Sequence, residues 1–175
     1  MKKIIFALFI LTGLVLNACN TATPENYFDQ AVLNTNLFAS FGTPQMAREL
    51  KTPPAQMAPD NKTTVSVPRK EVVKTTIESI EGSLKKVKDL QPTDDTKEML
   101  ETSIALHELV LPVYKNEFAK LAEDYDKNLP QAELDAECQK IIDQYAPKFE
   151  QLYEKLTTLG KAYAAKNNIN VNWGK

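Results

Sequence analysis

Residues 97–127, KEMLETSIALHELVLPVYKNEFAKLAEDYDK, decide the fold of this chain. Leu100, Ile104, His107, Leu111, Tyr114, Phe118, Leu121 and Tyr125 fall alternately four and three residues apart without a miss. That spacing puts all eight side chains along one face of an α-helix, and a face of that kind needs a partner helix to cover it. From 93 to 127 such a helix would run about 50 Å at 1.5 Å per residue. Pro112 lies inside it and predicts a kink near the preceding turn, because proline lacks the backbone donor and its ring meets the carbonyl four residues back.

The same periodicity extends outward in both directions. On the C-terminal side, Leu134, Cys138, Ile141, Tyr145, Phe149, Leu152, Leu156, Leu159 and Tyr163 mark another long helix, with Pro147 predicting a bend and Asn167-Asn168 an end. Asn128-Leu129-Pro130 between the two stripes is a short connection, which makes the helices antiparallel neighbours. On the N-terminal side, Val73, Ile77, Ile80, Leu84 and Val87 form a stripe on a helix after Pro68, and Phe28, Val32, Thr35 and Phe38 form one after Pro24. Between these two, residues 42–68 hold Pro44, Pro53, Pro54, Pro59 and Pro68, half of the ten prolines, and few large apolar side chains. This reads as a long irregular connection with room for one helical turn at 45–50. No segment reads as a sheet; Val65-Ser66-Val67 is the one alternating fragment and is too short to stand alone. The expected fold is therefore all-α, an up-down bundle of about four helices over residues 24–169. Its long proline-rich connection lies between helices one and two, and a tail follows at 170–175.

The N-terminus has a different character. Lys2 and Lys3 precede an apolar run from Ile4 to Leu16, and Leu16-Asn17-Ala18-Cys19 follows. A basic start, a short apolar core and a small residue before the cut describe a secretory signal, here residues 1–18. The run is too short for a membrane span, which needs about 20 residues. The four-residue ending resembles the lipobox of bacterial lipoproteins, although Asn17 stands where a small or β-branched residue is more usual. That resemblance implies cleavage between Ala18 and Cys19, and fatty acyl (palmitate-type) chains carried by Cys19 as a lipid anchor. Residues 19–23 would then be a short tether. Several chains on one cysteine hold firmly where a single chain holds only marginally. Asn20, rather than the aspartate that retains enterobacterial lipoproteins at the inner membrane, points to the outer membrane of a cell envelope.

Composition narrows the functional classes. The chain has 21 basic and 23 acidic residues, and without Lys2 and Lys3 the balance is 19 against 23, a net of −4. This mild acidity provides no footprint for nucleic acid. The 157 residues that follow residue 18 are enough for one domain with a real core. Cys19 and Cys138 are the only cysteines, so a lipidated Cys19 leaves no intrachain disulfide and the fold rests on packing.

No residue pattern reads as catalytic. His107 is the single histidine and lies on an apolar stripe, which suits a core histidine bonded to a tyrosine or carboxylate. Without a second histidine or a Glu-x-x-His motif there is neither a di-iron nor a usual zinc site, so no metal and no cofactor is expected. Cys138 sits beside Asp135 and Glu137, which disfavour a thiolate, and reads as a buried inert thiol. The carboxylates of the 97–127 helix alternate with lysines as on a solvated face. Asp94-Asp95 reads as helix-start charge. Gly-rich phosphate loops and nucleophile elbows are missing. The remaining candidate is a pocket lined by His107, Tyr114, Phe118, Tyr145 and Phe149; the last four rings would share one level of an antiparallel pair and could either hold a ligand or fill space opened by the prolines.

Three stretches together resemble small all-helical surface lipoproteins of bacterial envelopes. They are Tyr27-Phe28-Asp29-Gln30-Ala31-Val32, close to a Tyr-Asn-Asp-x-Ile-Val helix start; residues 106–125 with Tyr114 and Phe118 four apart; and Ala162-Tyr163-Ala164-Ala165-Lys166-Asn167-Asn168-Ile169. The resemblance implies a helical bundle on the envelope and adds no catalytic residue. The expected function is non-catalytic: an anchored protein presenting a helical surface to an envelope protein or component, with 42–68 as the recognition element. The alternative is a bundle that binds a small molecule or lipid in the aromatic-lined pocket.

Overall fold

A computed structural model describes residues 22–52 and 54–173. The signal stretch, Ala18 and Cys19 lie outside the described residues. The fold is all-α. In chain order it comprises α1 (Pro24–Ala31), a 3-10 segment (Leu33–Phe38), α2 (Pro44–Lys51), a hairpin of β1 (Ala55–Met57) and β2 (Thr64–Ser66), and α3 (Arg69–Asp89). Then come α4 (Lys97–Val113), a π-helical turn (Tyr114–Phe118), α5 (Ala119–Asp126) and α6 (Gln131–Lys166).

Three long rods make the frame: α3, α4 continued through the π turn into α5, and α6. Cross-rod bonds give their directions. Arg69 meets Asp126, Glu81 meets Lys115, and Lys88 meets Glu108, so α3 runs antiparallel to the α4–α5 rod. Tyr145 bonds Glu117, Lys155 pairs with Glu98 and Lys166 with Asp95, so α6 is antiparallel to that rod as well. The α4–α5 rod is thus the middle one, which explains why α4 buries Leu106, Val110 and Val113 in addition to its stripe. Asn128 and Asn168 adopt left-handed φ of 57° and 56° and end their helices. Leu129 N–H reaches Asp124 C=O at 3.2 Å and Ile169 N–H reaches Ala164 C=O at 2.9 Å, the long back-bonds of a Schellman motif.

The first limb is broken where a single helix over 24–38 was expected. Thr23 caps α1 by accepting from Asn26 N–H at 3.2 Å, with Pro24 in the first turn. The helix stops at Val32, whose φ of −111° and ψ of −58° leave the ideal α basin, and continues as the tighter 3-10 form. Phe28, Val32, Thr35 and Phe38 are all buried nonetheless. Tyr27 donates to Gln91 C=O near the α3–α4 connection, Phe38 lies edge-on to His107, and Lys51 pairs with Asp135 near the start of α6. The limb therefore travels the whole length of the frame.

The 42–68 connection is more regular than expected, and the expectation of no sheet needs correcting. Thr43 caps α2, with Pro44 at its first position, and Met46 and Leu50 pack into the core. Ala55 pairs with Ser66, and Met57 with Thr64, in an antiparallel ladder. A local turn compensates for the shortness of these strands. Asp60 Oδ1 accepts from Lys62 N–H at 2.9 Å and Thr63 N–H at 3.1 Å, while Asn61 takes a positive φ of 53°. The α3 helix starts after Pro68, which supplies no side-chain cap. Its cap comes from the far end of α5: Asp126 accepts from Arg69 N–H at 3.0 Å and Lys70 N–H at 3.1 Å.

Candidate functional site

Four of the rings proposed as a pocket, those of Tyr114, Phe118, Tyr145 and Phe149, share one level. Tyr114 and Phe118 stack at 4.7 Å between centroids on the π turn, and Phe149 and Tyr145 approach from α6. The space between them is occupied by a fifth ring that the helical stripes do not reveal. Phe41, fully buried, lies 6.0 Å from both Tyr114 and Phe118, 5.0 Å from Phe149 and 6.5 Å from Tyr145. Its position depends on the next residue. Gly42 has φ of +70°, and a Cβ there would lie 3.1 Å from the Cα of Ala146, beside Pro147. Only glycine allows both that conformation and that approach. Pro147 leaves α6 a single continuous helix, whereas Pro112 is followed within two residues by the π turn. Asn116 Nδ2 donates to Pro112 C=O at 2.9 Å, satisfying a carbonyl beside the widened turn.

His107 stands apart from this layer and belongs to a polar tie between α3 and α4. Its Nδ1 lies 2.7 Å from Ser103 C=O, which can only accept, so Nδ1 carries the proton. Nε2, 2.8 Å from Ser83 Oγ, accepts from that hydroxyl in the neutral ring. The partners are a serine and a carbonyl, where a tyrosine or carboxylate was expected. A serine–histidine bond is also the core of nucleophilic catalysis. Here, however, Ser83 is 4% and His107 0% exposed, and Phe38 packs edge-on to the imidazole at 5.0 Å, so the pair is enclosed in the core. Burial holds the imidazole pKa below its ordinary value against the opposing Ser103 bond.

The other groups are distributed along the rods. Tyr145 donates to Glu117 Oε1 at 2.7 Å, and that bond raises the phenol pKa, while Glu117 Oε2 is buried with no partner among the described residues. Cys138 is buried, and burial followed by the Asp135 charge pushes its thiol up. Among the described residues no group of three His, Cys, Asp or Glu is placed to hold a metal ion, and no helix is long and apolar enough to cross a membrane.

Open space lies on the outer side of the Tyr114–Phe118 stack. A groove of about 330 Å³ is bounded by α2, the turn after the 3-10 segment, the first two turns of α3 and the stack itself. Leu37, Met46, Val72 and Val73 supply apolar walls, and Glu49, Arg69 and Tyr114 bring polar atoms. The sequence left open whether Tyr114 and Phe118 border a pocket or fill space; Phe41 fills the inner side of the two rings, and the groove lies on the other side. The signal that could have found the groove is Leu37 and Val72, large apolar residues outside every stripe.

No protein-family model, curated protein or solved structure matches this chain, so a functional reading rests on the fold and the chemistry of its own residues.

Proposed function

We propose that this protein is a lipid-anchored, non-catalytic component of a bacterial envelope, held at Cys19, whose end remote from the membrane docks another envelope protein. The observation that carries the reading is the polarity of the frame. The α1 helix begins at Pro24, five residues after Cys19, beside Gln91 and the Asp95–Lys166 pair. The hairpin leads into α3 at the other end, where Arg69 meets Asp126. The 21 residues of α3 separate the two ends by about 30 Å. A protein held at Cys19 would present the hairpin outward, with Met57 56% exposed at its tip and Val65 on the opposite strand also exposed. Exposed apolar side chains of this kind suit association better than solubility. The anchor itself supports the outer-membrane reading only through Asn20.

Intact mass measurement of the envelope-extracted protein should give Cys19 as a triacylated or diacylated N-terminus, and Cys19→Ser should release the chain from membranes. Crosslinking in intact envelopes should recover a defined partner with the native chain and lose it with Met57→Glu combined with Val65→Lys. These two positions are exposed and leave the core untouched, unlike a deletion of 42–68, which would remove Met46 and Leu50. A free thiol at Cys19 would refute the anchor, and an unchanged partner set with the double variant would refute the docking end.

A further inference from the structure

The groove outside the Tyr114–Phe118 stack has a composition that goes beyond a docking surface, and the argument for it does not depend on the anchor. Its volume of about 330 Å³ lies at the small end of the range for ligand sites. Two of its walls are unusual for a solvated surface: Leu37 is 47% and Val72 40% exposed, although the neighbouring Val73, Met46 and Leu50 are buried. Its floor is a π-helical turn, a geometry frequent at functional sites.

The polar groups define a chemistry. Tyr114 is more than nine-tenths buried, and its hydroxyl lies at the groove surface without a hydrogen bond to a described residue. Burial, with the nearby Glu49 charge adding to it, pushes its pKa to about 12, so the hydroxyl remains neutral and able to accept as well as donate. Arg69, the only cation of the groove among the described residues, is already committed: it pairs with Asp126 and donates to the Lys51 carbonyl at 3.1 Å. Glu49 accepts neutral bonds from Ser40 at 3.1 Å and Gln45 at 3.2 Å, and no cation pairs with it among the described residues. The uncompensated charge of the groove is therefore negative, next to an aromatic stack that itself attracts cations.

We infer that this groove binds a small apolar amine. The protonated nitrogen lies between the Glu49 carboxylate and the Tyr114 oxygen, and the hydrocarbon body lies along Leu37, Met46 and Val72. A carboxylate-bearing ligand would oppose Glu49, and a purely apolar one would displace water from the Tyr114 hydroxyl without replacing its hydrogen bond.

The test is titration of the intact chain with three probes of one shape: 3-phenylpropylamine, 3-phenylpropionate and the neutral n-propylbenzene, followed through the Leu, Val and Met methyl NMR signals. The amine should saturate with shifts confined to Leu37, Met46, Val72 and Val73, and bind about fivefold more tightly than the neutral probe. Raised salt should reduce that advantage, and the carboxylate should bind weakest. Glu49→Gln, at an exposed position, should remove the preference for the amine, and Tyr114→Phe should weaken the amine about threefold. Equal binding of amine and neutral probe would overturn the charge assignment, and preference for the carboxylate would assign the site to Arg69 instead. Absence of saturable binding by all three would overturn the site. The probe series on the native chain decides these outcomes even if a variant folds poorly.

Discussion

The two faces of the Tyr114–Phe118 stack meet different surroundings. Inward, Phe41 closes against both rings, with Gly42 pressed to the backbone of α6. Outward, the same rings border a groove two of whose apolar walls, Leu37 and Val72, are left in contact with solvent. One pair of side chains thus serves as core on one side and as a surface on the other. The inner face is bounded by three elements that converge on one ring, and the outer face by short elements whose positions depend on caps and turns.

The contrast can be broken most forcefully from the inside. Phe41→Ala removes the ring that four others surround and should cost about 3–5 kcal/mol in a denaturant titration. A loss below about 1 kcal/mol would mean the rings close over the gap. Gly42→Ala next door forces both a disfavoured φ and a 3.1 Å approach to Ala146, and should cost about 1–3 kcal/mol by the same measurement. Behind Arg69, Asp126→Ala takes away the borrowed cap of α3 and should cost about 1 kcal/mol. Tyr114→Phe removes a hydroxyl with no partner and should change unfolding stability by less than about 0.5 kcal/mol. A large loss there would place an undetected bond on the outer face.

Acidity tests the neighbouring polar tie. The folded imidazole of His107 has a lowered pKa, so the unfolded chain binds its proton first. Stability from this group is full above the unfolded pKa of about 6.5 and falls as pH drops through that value toward the lower folded one. The carboxyl of Asp126 is raised by burial, but bonds from the Arg69 and Lys70 amides and from the Arg69 side chain outweigh this and hold it low. Its contribution is present above the unfolded carboxylate pKa and disappears as pH falls through the folded one. His107→Gln should flatten the first step and leave the second.

The long rods were legible because burial repeats along them: every member of the 100–125 stripe is buried or half-buried. Asn128 and Asn168 were legible as ends because few other residues accept a left-handed φ. Phe41 was not legible, because it follows a break and belongs to no period; its burial is set by three distant elements. The hairpin depends on one Asp60 turn rather than on strand length, so alternation could not reveal it. Ser83 belongs to no apolar period, and only the packing of α4 against α3 sets it opposite His107. The cap of α3 comes from a residue 57 positions away, a distance that no local pattern spans.

The wide turn at Tyr114–Phe118 also sets the phase of everything after it. A π turn takes in about one residue more than an α turn, so the chain leaves it rotated by roughly 100° from where an uninterrupted helix would point. Excising a single residue there would swing Leu121 and Tyr125 off the seam they share with their neighbours, and the lower half of the middle rod would present its charged side inward. The surplus residue acts as a gear tooth between two halves of one shaft, and single-residue deletions in this turn are predicted to be far more damaging than substitutions at its exposed positions.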